Sequence, residues 1–446
     1  MRTWLTVAIV LAAAGCAPAL PSQPAATPAP QQTLALPARI VAVGIPGAAA
    51  VSPVGTFHPG GPIHDTPDFA AYTRPGRILD PERILVTSSS NFGAPKARDD
   101  QPEGAVLSID AHASQPLVIP SSFATAGGQA TALDGRVQLF TAQSPAFLNK
   151  LTKPAAVTAD QPAVANPRGI SINNAFGRLW FPNIPTGLQG YGTESIVDPD
   201  GRPLANAPDD TAGGVFAAAL TNRNDQKVSG ALATGAVGNA LLGRSPDGST
   251  KAVFAVVTAD GALLQAHAAQ GIDGLAPAGA VHPIASNGPS RAGMLFNWTP
   301  DRMLLVAEPS TNSIAVVPLT DDGAVFHSQS VTHLSAPELQ TPVDLTPAVP
   351  EVANPDFSSN TTLAGGSDLY VANAGNGHIV RMRQDGKVVA VRSIQVPGAG
   401  ELAADRVQGI AISADATRLW ITVSGSLPGY PNADGGLLEV PAFGAS

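Results

Sequence analysis

The sequence predicts an all-β chain folded as a single β-propeller, and three observations lead there. The phrase GISINNAFGRLWFPN, beginning at Gly169, is nearly repeated as GIAISADATRLWITV from Gly409. Looser versions of the same form recur between and before them. Beyond the extreme N-terminus, no stretch long enough for a helix shows helical periodicity. The physical content of the phrase is simple. Ile170 and Ile172 alternate with small or polar residues, the period-two pattern of a half-buried strand. Asn173 to Gly177 then supply a polar turn, and Leu179-Trp180-Phe181 an apolar second strand, which together read as a β-hairpin.

Taken in order, RILVTSSS (from Arg83) and RVQLFTAQS (from Arg136) occupy the second-strand role upstream of the first full phrase. Downstream, Ser245-Pro246-Asp247-Gly248 turns into Val253–Val257, and Thr299-Pro300-Asp301 into Met303–Ala307. Leu369–Ala372 precedes a short turn and another alternating strand. Second strands are thus expected near Leu85, Leu139, Trp180, Phe254, Leu305, Tyr370 and Trp420. Repeats of roughly 40 to 50 residues, each a four-stranded antiparallel unit, are what a propeller requires, because a lone blade leaves an apolar face uncovered. Seven blades are expected, or six if the region around Arg136 belongs to a neighbour. The last repeat supplies three strands before the chain ends, and ARIVAVGI (Ala38–Ile45) is an orphan strand that can complete it.

The N-terminus gives an address. Met1-Arg2 precede Trp4–Gly15, a stretch of 12 apolar or small residues. That is too short to span a bilayer and the right length for a signal-peptide core. It ends at Cys16, the single Cys of the chain, which has no intramolecular partner. The ending LAAAGC resembles the bacterial lipobox, with Ala13 where the pattern prefers Leu. The resemblance implies that residues 1–15 are cleaved and Cys16 is lipidated. The mature chain is then membrane-anchored in the bacterial cell envelope. Ala17 after the Cys implies the outer membrane, facing the periplasm, in a Gram-negative cell. Residues 16–37, rich in Pro, Ala, Gln and Ser, read as a semi-extended tether, and residues 38–446 as the propeller domain.

Composition narrows the partners. A net charge of −9 and only 13% charged residues argue against a nucleic-acid surface, which needs a basic face. The densest basic stretch, Arg381 to Arg392, alternates with apolar residues as the wet side of an outer strand does. A monomer is expected.

LYVANAGNGHIVRM and LLVAEPSTNSIAVVPL resemble repeats of the NHL and YVTN propeller families. FNWTPDRMLLVAE and ALLGRSPDGSTKAVFAV also resemble blades of gluconolactonase-like propellers. The resemblance implies the fold across about residues 80 to 440 and little about activity, since one fold hosts many functions. One departure bears on chemistry: where the gluconolactonase pattern carries a metal-binding Asn, Arg168, Gln408 and Ala292 stand here, with Asn239 the nearest substitute.

Candidate sites follow from loop lengths and residue types. In propellers the connectors into the innermost strands and the turns between second and third strands share one face. On it three long insertions are expected, the second of them at 182–214 and the third at 424–436. Long loops in compact folds carry function. Tyr191 and Tyr430 sit in two of them within similar Gly-Tyr phrases, suited to sugar or peptide recognition, or to packing each loop onto its blade. Arg168, Arg291 and Gln408 are placed at the tunnel mouth by repeat equivalence, either to hold a ligand or to satisfy backbone carbonyls. Glu194, Asp198, Asp200, Asp209 and Asp210 form an oxygen-rich loop that could hold calcium, although it lacks the EF-hand pattern. His58, His64 and Asp65 offer zinc-type ligands at no standard spacing. GAGELA near Gly398 is a degenerate dinucleotide fingerprint with no helix to follow it. No catalytic nucleophile motif is present, so no catalytic residue is assigned. Two functions remain in view. One is a lipid-anchored binding or scaffold module for an envelope carbohydrate, peptide or protein, without a cofactor. The other is a metal-dependent hydrolase, lactonase-like enzyme or lyase acting at the tunnel mouth.

Overall fold

The computed structural model describes residues 34–53, 83–88, 105–119, 124–126, 129–133, 136–142, 171–173, 178–183, 214–219, 225–227, 236–244, 251–258, 261–269, 281–285, 288–297, 302–321, 325–328, 330–348, 362–363, 367–413 and 415–444. They belong to one compact unit that begins at Leu34, so the fold takes in Leu34–Pro37, which the sequence had assigned to the tether. Among the described residues there is no α-helix, only a 3-10 turn at Pro309–Thr311.

The strands form six larger sheets and one two-stranded ribbon. The first sheet runs Val51–Pro53, Arg83–Ser88, Ala105–Asp110 and Val137–Ala142 from the inside outward, continued by the hairpin Gln129–Ala132 and Ala124–Ala126. The second comprises Ser171–Asn173, Arg178–Asn183, Gly214–Ala219 and Asp225–Lys227, and the third Ala236–Arg244, Lys251–Thr258, Leu263–Ala269 and Val281–Ala285. Met294–Asn297, Met303–Glu308, Ser313–Pro318 and Thr332–Ser335 build the fourth. Pro342–Pro347, Leu369–Asn373, Ile379–Met382 and Val388–Val396 build the fifth, and Val407–Ile412, Arg418–Leu427 and Tyr430–Pro441 the sixth.

The core lies in the seams between sheets. Leu304 packs toward the third sheet, with Val257 and Phe296. Its neighbour Leu305 packs toward the fifth, with Leu345 and Val371. Successive side chains of a strand point to opposite faces, so a strand buried on both faces reads as a continuous apolar run, as MLLVA does. A third cluster, around Tyr370, Ile394, Ile410 and Leu438, fills the seam between the fifth and sixth sheets. A fourth, around Val41, Ile84, Leu107 and Trp420, joins the sixth to the first.

Four seams thus unite five sheets as blades: the third, fourth, fifth, sixth and first. For the second sheet only backbone pairing is described. The expected seven blades, or six, therefore give way to five with a described core. One cause is visible at Leu139. Its strand, Val137–Ala142, pairs with Ala105–Asp110 as a further strand of the first sheet and founds no blade. An alternating strand reads alike wherever it sits in a sheet.

The N-terminal strand takes the expected place. Arg39–Val43 pairs antiparallel with Tyr430–Pro441 and supplies the sixth sheet with its outer strand. Arg39 fixes it, reaching the Glu439 carboxylate at 2.5 Å and the carbonyls of Ala111 and Ala113 at 2.7 and 3.1 Å. Leu34–Pro37 continues onto the fifth sheet, parallel to Val388–Val396. The chain's other end is held by Tyr370, whose hydroxyl donates to the Phe443 carbonyl at 2.6 Å while the two rings meet edge to face.

Candidate functional site at the tunnel mouth

Each of the five blades enters its innermost strand through the same irregularity, two residues opposing one on the second strand. In the first blade Ala49 N donates to Thr87 O, and Thr87 N to Ala50 O; in the fourth, Ala292 N donates to Ala307 O, and Ala307 N to Gly293 O. The register skips Val237 before Gly238 opposite Val257, Val343 before Asp344 opposite Ala372, and Gln408 before Gly409 opposite Thr422. Such bulges bend the strand and aim side chains at defined places.

The second residue of each bulge is Ala50, Gly238, Gly293, Asp344 or Gly409. These residues link the blades around the ring. A Cβ on Gly238 would overlap the Ala292 carbonyl, one on Gly293 would overlap Asp344, and one on Gly409 would overlap the Ala49 carbonyl. Glycine is required there by the close approach of a backbone carbonyl at Gly238 and Gly409, and of Asp344 at Gly293. At the seam between the fifth and sixth blades the link is a side chain instead. Asp344 Oδ2 accepts from Ile410 N at 2.9 Å, and Oδ1 accepts from Leu345 N at 2.9 Å. One step along the same strand, Thr346 Oγ1 accepts from Ile412 N at 3.1 Å. Asp344 keeps part of its surface, yet packed protein atoms surround its carboxyl group. Burial pushes its pKa up to about 7, against the lowering effect of the two amides.

On the same face, Glu308 ends the second strand of the fourth blade, fully buried. Its carboxylate faces Arg291 Nε at 3.3 Å, Ser313 Oγ at 3.2 Å and His333 Nε2 at 3.1 Å. Arg291 also donates to the carbonyl of Gly261 at 2.5 Å. This is a charge-paired network that ties the third and fourth blades together.

The sequence-selected residues divide accordingly. Arg291 is buried in that ion pair, one residue before the bulge, and is not the repeat equivalent of Gln408; Ala292 is. Gln408 occupies the first bulge position and donates to the Asp405 carbonyl at 3.1 Å and to Ser424 Oγ at 3.5 Å. Both donate to backbone carbonyls, Arg291 to Gly261 and Gln408 to Asp405. Tyr430 is half-buried and packs on the core of the sixth blade. The insertion at 424–436 is not a free loop: it extends the hairpin, with Leu427 pairing to Tyr430 across a Pro428-Gly429 turn. Cys16, His58, His64, Asp65, Arg168, Tyr191, Glu194, Asp198, Asp200, Asp209 and Asp210 lie outside the described residues. Among the described residues no group of three His, Cys, Asp or Glu side chains is placed to hold a metal. Asp344 and Glu308 were missed by sequence reasoning. Asp344 could have been found by aligning VDL with QGI and AGM, where an acid replaces glycine.

No protein-family model matches the chain, and no curated protein matches it. Solved structures resemble it distantly. The α-L-arabinofuranosidase of Fusarium graminearum, solved with arabinobiose, shares 9% identity over 91% of this chain and 98% of its own, with a TM-score of 0.46. Regucalcin, a calcium-binding protein of Agrobacterium tumefaciens, shares 14% identity over 64% of this chain and 93% of its own, with a TM-score of 0.34.

Proposed function

We propose that the protein is a binding module of the bacterial envelope, anchored through lipid on Cys16 to the outer membrane and facing the periplasm as a monomer. It captures a carbohydrate, peptide or protein partner on the face of the tunnel mouth. The observation that carries this reading is the extended hairpin of the sixth blade. It holds Ser426, Pro431, Asn432 and Asp434 exposed on a two-stranded arm beside the mouth, while Arg291 and Glu308 tie two blades together and Gln408 bonds within the sixth blade. Exposed polar groups on a rigid arm lose little conformational freedom on binding.

The test combines Asn432→Ala with Asp434→Ala, which leaves the buried Leu427 and the packed Tyr430 in place, and compares both proteins on an array of envelope glycans and peptidoglycan fragments. An unchanged melting curve with lost capture supports the reading, and capture retained at full strength removes it. Metal analysis of the same samples separates this reading from a metal-dependent enzyme, which requires stoichiometric calcium or zinc. Labelling with a radioactive fatty acid, present in the native chain and absent in Cys16→Ala, checks the anchor.

A further inference from the structure

We infer that Asp344 is a proton-operated latch between the fifth and sixth blades, shut when its carboxyl group is neutral and loosened when it is ionised. The inference is independent of the binding reading. It begins with the ring of bulges. Three of the five equivalent positions are glycine and one is alanine; Gly238 and Gly409 abut a backbone carbonyl at their seams, and Gly293 abuts Asp344 itself. Among the five bulge positions only that of the fifth blade carries an ionisable side chain, and it caps the Ile410 amide of the sixth. The Thr346 hydroxyl beside it caps the Ile412 amide and does not titrate in this range.

The groups facing the carboxyl offer no counter-charge. From the fourth blade comes Gly293, whose charged neighbour Arg291 is bound to Glu308 and Gly261. The second strand of the fifth blade presents Ala372 across from it. The sixth blade presents Gly409 and Ile410; nearby Arg406 is engaged with the carbonyls of Ser424 and Ser426. Burial and two backbone amides set its state, with no cation among the causes. An ionised carboxylate without a counter-charge in packed surroundings is costly, even with two amides to bond. The available relief is water, which needs the inner strands of the two blades to part. The neutral acid avoids that cost and still offers its oxygens to the amides. The seam consequently weakens as pH rises through about 7.

Hydrogen exchange on the full chain at pH 5.5 and 8.5, corrected for intrinsic exchange, tests this. In the wild type, protection of the Val407–Ile412 segment is expected to fall at least about tenfold at the higher pH, because opening is linked to loss of one proton. Protection of Ala236–Arg244, whose Gly238 abuts the Ala292 carbonyl at a seam away from Asp344, is expected to hold. Asp344→Asn and Asp344→Gly, the latter carrying the residue of the sister blades, are each expected to remove the pH response whatever their baseline. No pH response in the wild type overturns the latch, as does an equal response in either variant or in the Ala236–Arg244 segment.

Discussion

Gly409 shows how little room single residues have at the centre of this ring. Its missing side chain is where the Ala49 carbonyl sits, and the Thr422 hydroxyl donates to that same oxygen. Gly409→Ala forces backbone apart at the seam with the first blade and is expected to cost about 1–3 kcal/mol, read as a lower denaturation midpoint. Arg291→Met leaves Glu308 buried and uncompensated by its guanidinium, with an expected loss of about 3–5 kcal/mol. A substitution on the exposed arm, such as Asn432→Ala, should leave the same midpoint unmoved within about 0.5 kcal/mol. At Asp344 the sign runs the other way from an ordinary ion-paired acid. Its folded pKa of about 7 lies above the ordinary 3.8, so the folded state holds a proton that the unfolded state releases between those values. Stability is therefore highest below pH 4 as far as this group is concerned, falls from there to about 7, and then levels. A thermal-melt series in pH, wild type against Asp344→Asn, is expected to diverge over that interval. None of these central residues is a catalytic type in a familiar spacing. That is why Asp344 and Glu308 stayed hidden in the sequence: their importance comes from the bulge and the seam, which bring together segments distant along the chain.

The elements were far more legible. The strands around Leu85, Phe254, Leu305, Tyr370 and Trp420 are second strands of blades, and the orphan strand at the N-terminus closes the sixth sheet. Alternating or continuous apolar runs announced them. What such runs do not announce is the position of a strand within its sheet, so the strand at Leu139 was promoted to a blade of its own. Nor does loop length separate a free loop from an extended hairpin, as Ser424–Gly436 shows. The closing strand offers the clearest test at this level. A chain starting at Arg39 keeps Arg39–Val43 and loses only the parallel Leu34–Pro37 strand; it is expected to melt cooperatively at a lower temperature. One starting at Ile45 leaves the edge of Tyr430–Pro441 unpaired and uncovers Leu438 and Val440, and its cooperative melt is expected to disappear. Exposed sheet edges of this kind also pair with other chains, so light scattering should report association of the shorter form.

For the whole molecule, the order of synthesis opposes the order of assembly. Arg39 grips Glu439 across 400 residues of sequence. The strand that leaves the ribosome first therefore meets its partner last. Contacts at such separations are slow to form, because the loop must be closed before they stabilise anything. Until Tyr430–Pro441 arrives the sheet has no seat for Arg39–Val43, and a chain still being made has no route to a closed ring. Under the export proposed above, this delay would be a convenience. The chain would stay a string, fit for passage, until its two ends met on the same side.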